Sequence, residues 1–136
     1  MMQLESAPMA SIAYLCTDLL FTSKIRETAQ ALGHEAKLAR DAAGLAAAAV
    51  GAALVIVDLR RPDAIAALEA VRAAPGSALT PAVGFVDHER TDLMADARNA
   101  GCTQVLAKGK FSSDLRHLIA DAAAAQGAPA AADGER

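Results

Sequence analysis

The run Ala53-Leu54-Val55-Ile56-Val57-Asp58 constrains this chain more than any other stretch. Leu54 to Val57 follow one another without polar alternation and end in a carboxylate. A strand with one wet face alternates apolar and polar side chains. An unalternated one is covered on both faces, as in a parallel sheet. Asp58 then falls at the carboxyl end of that strand, the edge of an open α/β sheet where ligands bind. The plainer alternative is that Asp58 begins a turn or caps the next helix.

The rest of the chain repeats the unit. Residues 11–16 (SIAYLC) form a first short apolar run, with Thr17-Asp18 at its carboxyl end. A helix follows over about 20–32, with Phe21, Ile25, Ala29 and Leu32 on one stripe and Gly33 as its stop. Residues 35–39 read as a weak strand and the alanine-rich 42–50 as a helix ended by Gly51. After the 54–58 strand a third helix begins near Pro62-Asp63, with Ile65, Leu68 and Val71 inward, and breaks at Pro75-Gly76-Ser77. Pro81 introduces a strand over 82–86, and Asp87-His88-Glu89-Arg90 lies at its carboxyl end. A helix over 91–100 turns Leu93, Met94 and Ala97 inward and stops at Gly101. The last strand is 104–107, followed by a loop, Lys108-Gly109-Lys110-Phe111. Ser112 is expected to cap the fifth helix, whose apolar face is Leu115, Leu118, Ile119 and Ala122.

Five strands alternating with five helices predict a doubly wound α/β domain over residues 10–125. At this size the flavodoxin-like order 2-1-3-4-5 is the leading arrangement. Aromatic residues make up only 3% of the chain and Trp is absent, so the core must be aliphatic. Residues 126–136, rich in Ala, Gly and Pro, read as a disordered tail, and residues 1–9 as loose.

Composition excludes several classes. The net charge of −3 offers no basic excess for a nucleic acid. No apolar stretch approaches the ~20 residues of a membrane span, and no basic region precedes an apolar one at the N-terminus. The chain reads as cytoplasmic, with no nucleic-acid or membrane partner. Cys16 and Cys102 belong to no metal-ligand spacing and fall at opposite edges of the expected sheet, so free thiols are expected. No phosphate-binding glycine loop and no Ser or Cys nucleophile motif occurs.

In the expected order, strands one, three, four and five lie side by side. Their carboxyl ends bring Asp18, Asp58, Asp87-His88 and Lys108 together from four separate segments. In that arrangement the chain resembles a receiver domain of bacterial two-component response regulators, of the stand-alone chemotaxis type. The resemblance covers about residues 10–125. It rests on Asp58 in LVIVDLRRP, with Pro62 four residues on, and on Lys108 in VLAKGKF.

The resemblance implies that Asp58 is the phosphorylation site, that Lys108 contacts the phosphoryl group, and that Asp18, Asp58 and the backbone carbonyl of Arg60 hold Mg²⁺. It implies a signalling module rather than an enzyme. A histidine kinase or phosphotransfer protein would be its phosphodonor. A protein partner would dock on the face of helix four, strand five and helix five. A homodimer is left open.

The chain departs from the family's pattern in four places. Thr17 stands where a second acid helps bind Mg²⁺, so weak binding is expected. Val86 stands where a Thr or Ser hydroxyl reports phosphorylation, and about Val105 where an aromatic moves with it. Gly109-Lys110 replaces a single proline. The alternative is therefore a pseudo-receiver, a phosphorylation-independent interaction module. A third reading is a small α/β enzyme or metal protein using Asp18, Asp58, His88 and Lys108. Arg60 and Arg61 could each pair with Asp58 in place of a metal, or be solvated arginines on a loop. His34 and His117 receive no role.

Overall fold

The computed structural model describes residues 9–127. The strands are β1 (Ser11–Leu15), β2 (Glu35–Leu38), β3 (Leu54–Asp58), β4 (Ala82–Val86) and β5 (Gln104–Ala107). The helices are α1 (Leu19–Ala31), α2 (Ala42–Ala49), α3 (Ala64–Ala73), α4 (Thr91–Asn99) and α5 (Lys108–Gly127). All pairings are parallel and the order is β2-β1-β3-β4-β5, the flavodoxin-like arrangement that the alternating pattern predicts.

Every residue of β3 and β4 is buried, as unalternated runs demand. Burying each large aliphatic side chain there contributes about 1.5–3 kcal/mol. The edge strands β2 and β5 are largely exposed or half-buried, and polar Glu35, Lys37 and Gln104 sit on them.

Two apolar layers cover the sheet. Ile25 and Ala29 of α1 and Phe111, Leu115 and Ile119 of α5 pack with Ile12, Tyr14, Ile56 and Phe85 on one face. Leu45, Leu68, Val71 and Ala97, from α2, α3 and α4, pack with Leu15, Val55, Val57 and Val86 on the other. Gly84 of β4 lies on this second face, where a Cβ would fall 2.9 Å from both Leu59 methyl carbons. Only glycine admits Leu59 over the middle of β4.

The amino edge of the sheet is fastened by Arg72 of α3. Its guanidinium donates to the carbonyls of Gly101 (2.8 and 3.0 Å), Thr80 (2.7 Å), Ala78 (3.2 Å) and Ser77 (3.3 Å). The turns before β4 and β5 are thereby tied to one side chain. Gly101 has φ +101, and a Cβ there would lie 2.9 Å from Arg72 Cγ, so the stop of α4 needs glycine for conformation and for space.

α5 starts earlier than its sequence suggests. Residues 108–111 are its first turn rather than a loop, and Ser112 lies inside the helix instead of capping it. β5 passes directly into helix through Lys108-Gly109-Lys110. Phe111, fully buried, anchors that turn. Ser113 Oγ donates to the Gly109 carbonyl at 3.0 Å, and Lys110 pairs with Asp114 at 3.2 Å, one turn on.

At the far end, Gln126 and Gly127 complete α5, and Gln126 Nε2 donates to the Gly51 carbonyl at 2.9 Å. The rest of the expected tail, 128–136, and residues 1–8 lie outside the described residues. Cys16 and Cys102 are free and buried. Among the described residues no helix is long and apolar enough to cross a membrane.

Candidate functional site

The carboxyl edge of the sheet opens into a cleft of about 340 Å³ lined by Thr17, Asp18, Asp58, Arg60, Arg61, Pro62 and Lys108. Asp58, Asp18 and Lys108 are thus brought into one cleft by β3, the β1–α1 junction and the start of α5. His88 is not: its side chain is 82% exposed and its Nδ1 lies 3.8 Å from Glu89. That geometry removes the basis for a metal or catalytic centre that uses His88.

Asp58, the last residue of β3, is 5% exposed. Its Oδ1 accepts the backbone N–H of Arg60 at 3.0 Å, so the carboxylate does brace a local turn. Its Oδ2 faces the Cys16 thiol, a long and weak contact at 3.9 Å. Burial holds the Cys16 thiol above its ordinary range, and the charge of Asp58 adds to the shift, while a hydrogen bond with Thr22 opposes it. Burial thus disfavours the thiolate form of Cys16 beside the carboxylate.

Asp18 divides its two oxygens. Oδ1 caps α1, accepting from the N–H groups of Leu20 (2.9 Å) and Phe21 (3.4 Å). Oδ2 lies 3.8 Å from Lys108 Nζ. Lys108 is the first residue of α5, so the strand-to-helix junction aims its ammonium over the sheet edge. Beneath it sit all three phenylalanines of the chain. Phe85 and Phe111 stack at 4.3 Å, Phe21 tilts against both, and Lys108 Nζ lies 5.4 Å from the Phe21 ring centre. This apolar floor, together with the cation–π contact, holds the amine in place.

Neither arginine after Asp58 forms a side-chain ion pair with it among the described residues. Arg61 is not a solvated loop residue either. It grips Asp63 with two nitrogens (2.8 and 2.9 Å), donates to the Thr17 hydroxyl (2.9 Å) and to the Arg40 carbonyl (3.0 Å). The guanidinium holds the Asp63 carboxyl below the usual carboxylate range. Arg60 turns the other way, with Nη1 3.6 Å from Asp87 Oδ2. Asp87 Oδ1 in turn lies 3.7 Å from Lys108 Nζ. Charges alternate around the mouth: Arg60, Asp87, Lys108, Asp18.

Among the described residues no group of three or more His, Cys, Asp or Glu side chains is arranged to hold a metal ion. The carboxylates of Asp58 and Asp18 line the cleft and are the acidic groups that could hold Mg²⁺, which takes one or two carboxylates and keeps several waters.

Sequence reasoning missed the Arg61–Thr17 link and the Cys16–Asp58 contact. The signal for the first was present in the replacement of an acid by Thr17 together with an arginine three residues after Asp58.

By sequence, neither a family model nor a curated protein matches the chain. By structure, the likeness is extensive. A chemotaxis response regulator of Vibrio cholerae superposes with a TM-score of 0.71 at 20% identity, covering 85% of this chain and 99% of that one. The receiver domain of a sensor histidine kinase of Pseudomonas aeruginosa, with a magnesium ion coordinated in its active-site cleft, gives 0.72 at 18%, covering 85% and 98%. A response regulator protein of Burkholderia multivorans gives 0.65 at 25%, covering 84% and 94%. The fold of this chain is that of the response-regulator receiver domains.

Proposed function

We propose that the chain is a phospho-accepting receiver module of two-component signalling, with Asp58 as the acceptor. The observation that supports this best is the shared cleft of Asp58, Asp18 and Lys108 at the carboxyl edge of the sheet. A phosphohistidine of a histidine kinase or phosphotransfer protein would be the donor. The phosphorus–nitrogen bond breaks, a phosphorus–oxygen bond forms on the Asp58 carboxylate, and the departing imidazole takes up a proton. Such transfers depend on positioning and charge neutralisation.

Here Asp58 is held in one orientation by the Arg60 N–H, and Lys108 stands over the cleft. Mg²⁺ held by Asp18, Asp58 and the Arg60 carbonyl would neutralise the remaining charge. Mass spectrometry after incubation with Mg²⁺ and a small acyl-phosphate donor tests the proposal. Gain of one phosphoryl group, lost in Asp58→Asn, is the expected result. No gain in the wild type overturns it.

A second reading is supported by Thr17 and by Val86, which is fully buried and has no hydroxyl to offer. On that reading the domain binds its partner through the α4–β5–α5 face, or pairs with a second copy, without phosphorylation. A partner bound equally by wild type and Asp58→Asn would favour it. Either role fits a cytoplasmic module.

A further inference from the structure

Asp87 follows Val86 directly and adds a carboxylate to the mouth of the cleft. One of its oxygens lies 3.6 Å from Arg60 Nη1 and the other 3.7 Å from Lys108 Nζ. It therefore holds both cations that flank Asp58. Lys108 pairs with Asp87 and Asp18 among the described residues.

These contacts are suited to exchange. Each is a single-point pair well beyond the 2.7–2.9 Å of a strong charge-assisted hydrogen bond. The Asp87 side chain is 38% exposed and that of Arg60 57%, so water can replace either partner. By contrast, the Arg61–Asp63 pair is bidentate at 2.8 and 2.9 Å. The backbone of Asp87 is tied forward: its carbonyl accepts from the Arg90 N–H at 3.0 Å, and Arg90 is the residue that precedes α4.

We propose that Asp87 is a displaceable latch on the β4–α4 turn. A phosphoryl-like anion on Asp58 takes Arg60 and Lys108 away from Asp87. The freed carboxylate, repelled by the new charge, carries residues 87–90 outward. A ligand shifts a two-state element only through its differential interaction with the two states, and here the difference is the set of cations that one anion gains and the other loses. The signal is a push by charge, in a chain whose Val86 cannot be pulled by a hydrogen bond. The latch rests on the reading of Asp58 as the acceptor.

The test is titration of the whole chain with beryllofluoride and Mg²⁺, read by fluorine NMR of the bound anion and by the amides of residues 87–90. In the wild type, binding should move those amides. Asp87→Asn should bind the anion roughly threefold to thirtyfold more tightly, the factor that two half-exposed ion pairs represent. Its free-state amides at 88–90 should already lie near the wild type's bound positions. Glu89→Gln removes the same charge from the same turn, but Glu89 is 70% exposed and faces His88, so it should change neither readout. Equal midpoints in wild type and Asp87→Asn, equal gains in Asp87→Asn and Glu89→Gln, or unmoved amides on binding each overturn the latch alone. No bound resonance in either wild type or Asp87→Asn overturns the latch and the acceptor reading together.

Discussion

Arg61 reaches back from the residue before Pro62 to the β1–α1 junction, where its Nη1 lies 2.9 Å from the Thr17 hydroxyl oxygen. The side chain that stands where receiver domains place a second acid is thus already held by a guanidinium. Restoring the acid alone should do little for Mg²⁺. In Thr17→Asp the new carboxylate would pair with Arg61, and affinity should rise less than about tenfold. Adding Arg61→Met should free that carboxylate and raise affinity beyond the product of the single effects. A coupling of about 1 kcal/mol, typical of residues in contact, is expected. Mg²⁺ titration followed by amide shifts of residues 16–18 and 58–62 measures it. Strictly multiplicative effects would show that Arg61 does not hold the acid position.

The Arg61–Asp63 pair should make stability depend on acid. Arg61 depresses the Asp63 carboxyl below its unfolded value. A depressed carboxylate stabilises fully above its unfolded pKa, near 4, and the contribution is lost as pH falls through the lower folded value. Asp63→Asn should therefore cost about 1 kcal/mol at about pH 7, and the gap should narrow as pH falls below the ordinary carboxylate range. Urea midpoints at neutral and acid pH test the sign. A gap that persists in acid would point to lost packing instead.

Arg72 should be among the most sensitive positions outside the apolar core. Arg72→Met keeps the aliphatic stem but strands the carbonyls of Thr80 and Gly101. Bonds to a charged donor are worth about 1.5–3 kcal/mol each in favourable cases, and several partly exposed ones are lost at once, so a cost of about 2–3 kcal/mol is expected. Arg72→Lys should recover little, because one ammonium cannot serve acceptors spread across two turns. Urea denaturation measures both. A loss under about 0.5 kcal/mol in Arg72→Met would mean that water replaces the guanidinium.

Val86 sets a limit on how far any change at Asp58 travels. It is fully buried among Val57, Leu59 and Ala97, and it pairs in register with Ala107. Without a hydroxyl it forgoes a hydrogen bond to a charged group worth about 1.5–3 kcal/mol, roughly tenfold to a hundredfold in coupling. Beryllofluoride on Asp58 should perturb the loops around it while leaving the body of α4 and β5 nearly unchanged. Val86→Thr should recover part of the response at nearly the same side-chain volume, though it adds a buried hydroxyl that must find a partner. A large concerted amide change over residues 91–111 in the wild type would contradict this.

The parts of the fold that were legible follow from burial. Leu54–Asp58 and Ala82–Val86 are covered on both faces, and unalternated apolar residues announce that directly. Asp58, Asp18 and Lys108 were legible as one site because strand ends meet once the order is known. The start of α5 was not. Ser112 and Asp114 look like a cap, and Gly109 looks like a loop, but the deciding fact is tertiary: Phe111 must reach the Phe85 ring, and a helical turn delivers it there. The partners of the charged residues were illegible for a similar reason. Arg60 and Arg61 are neighbours in sequence, yet one turns to Asp87 and the other to Asp63 and Thr17, and only the path of the surrounding loops separates them.

The placement of Lys108 above Phe21 has a spectroscopic consequence. Protons held over the face of an aromatic ring are shielded by its circulating electrons, so the terminal methylene protons of Lys108, close to the nitrogen 5.4 Å from that ring centre, should resonate upfield of ordinary lysines. Nothing needs to be attached to read this. Drift of the lysine signal toward its ordinary position reports separation of the amine from the Phe21 ring, which packs on the stacked Phe85 and Phe111. The chain thus carries its own magnetic reporter at Lys108, one of the two cations that a phosphoryl group on Asp58 would recruit.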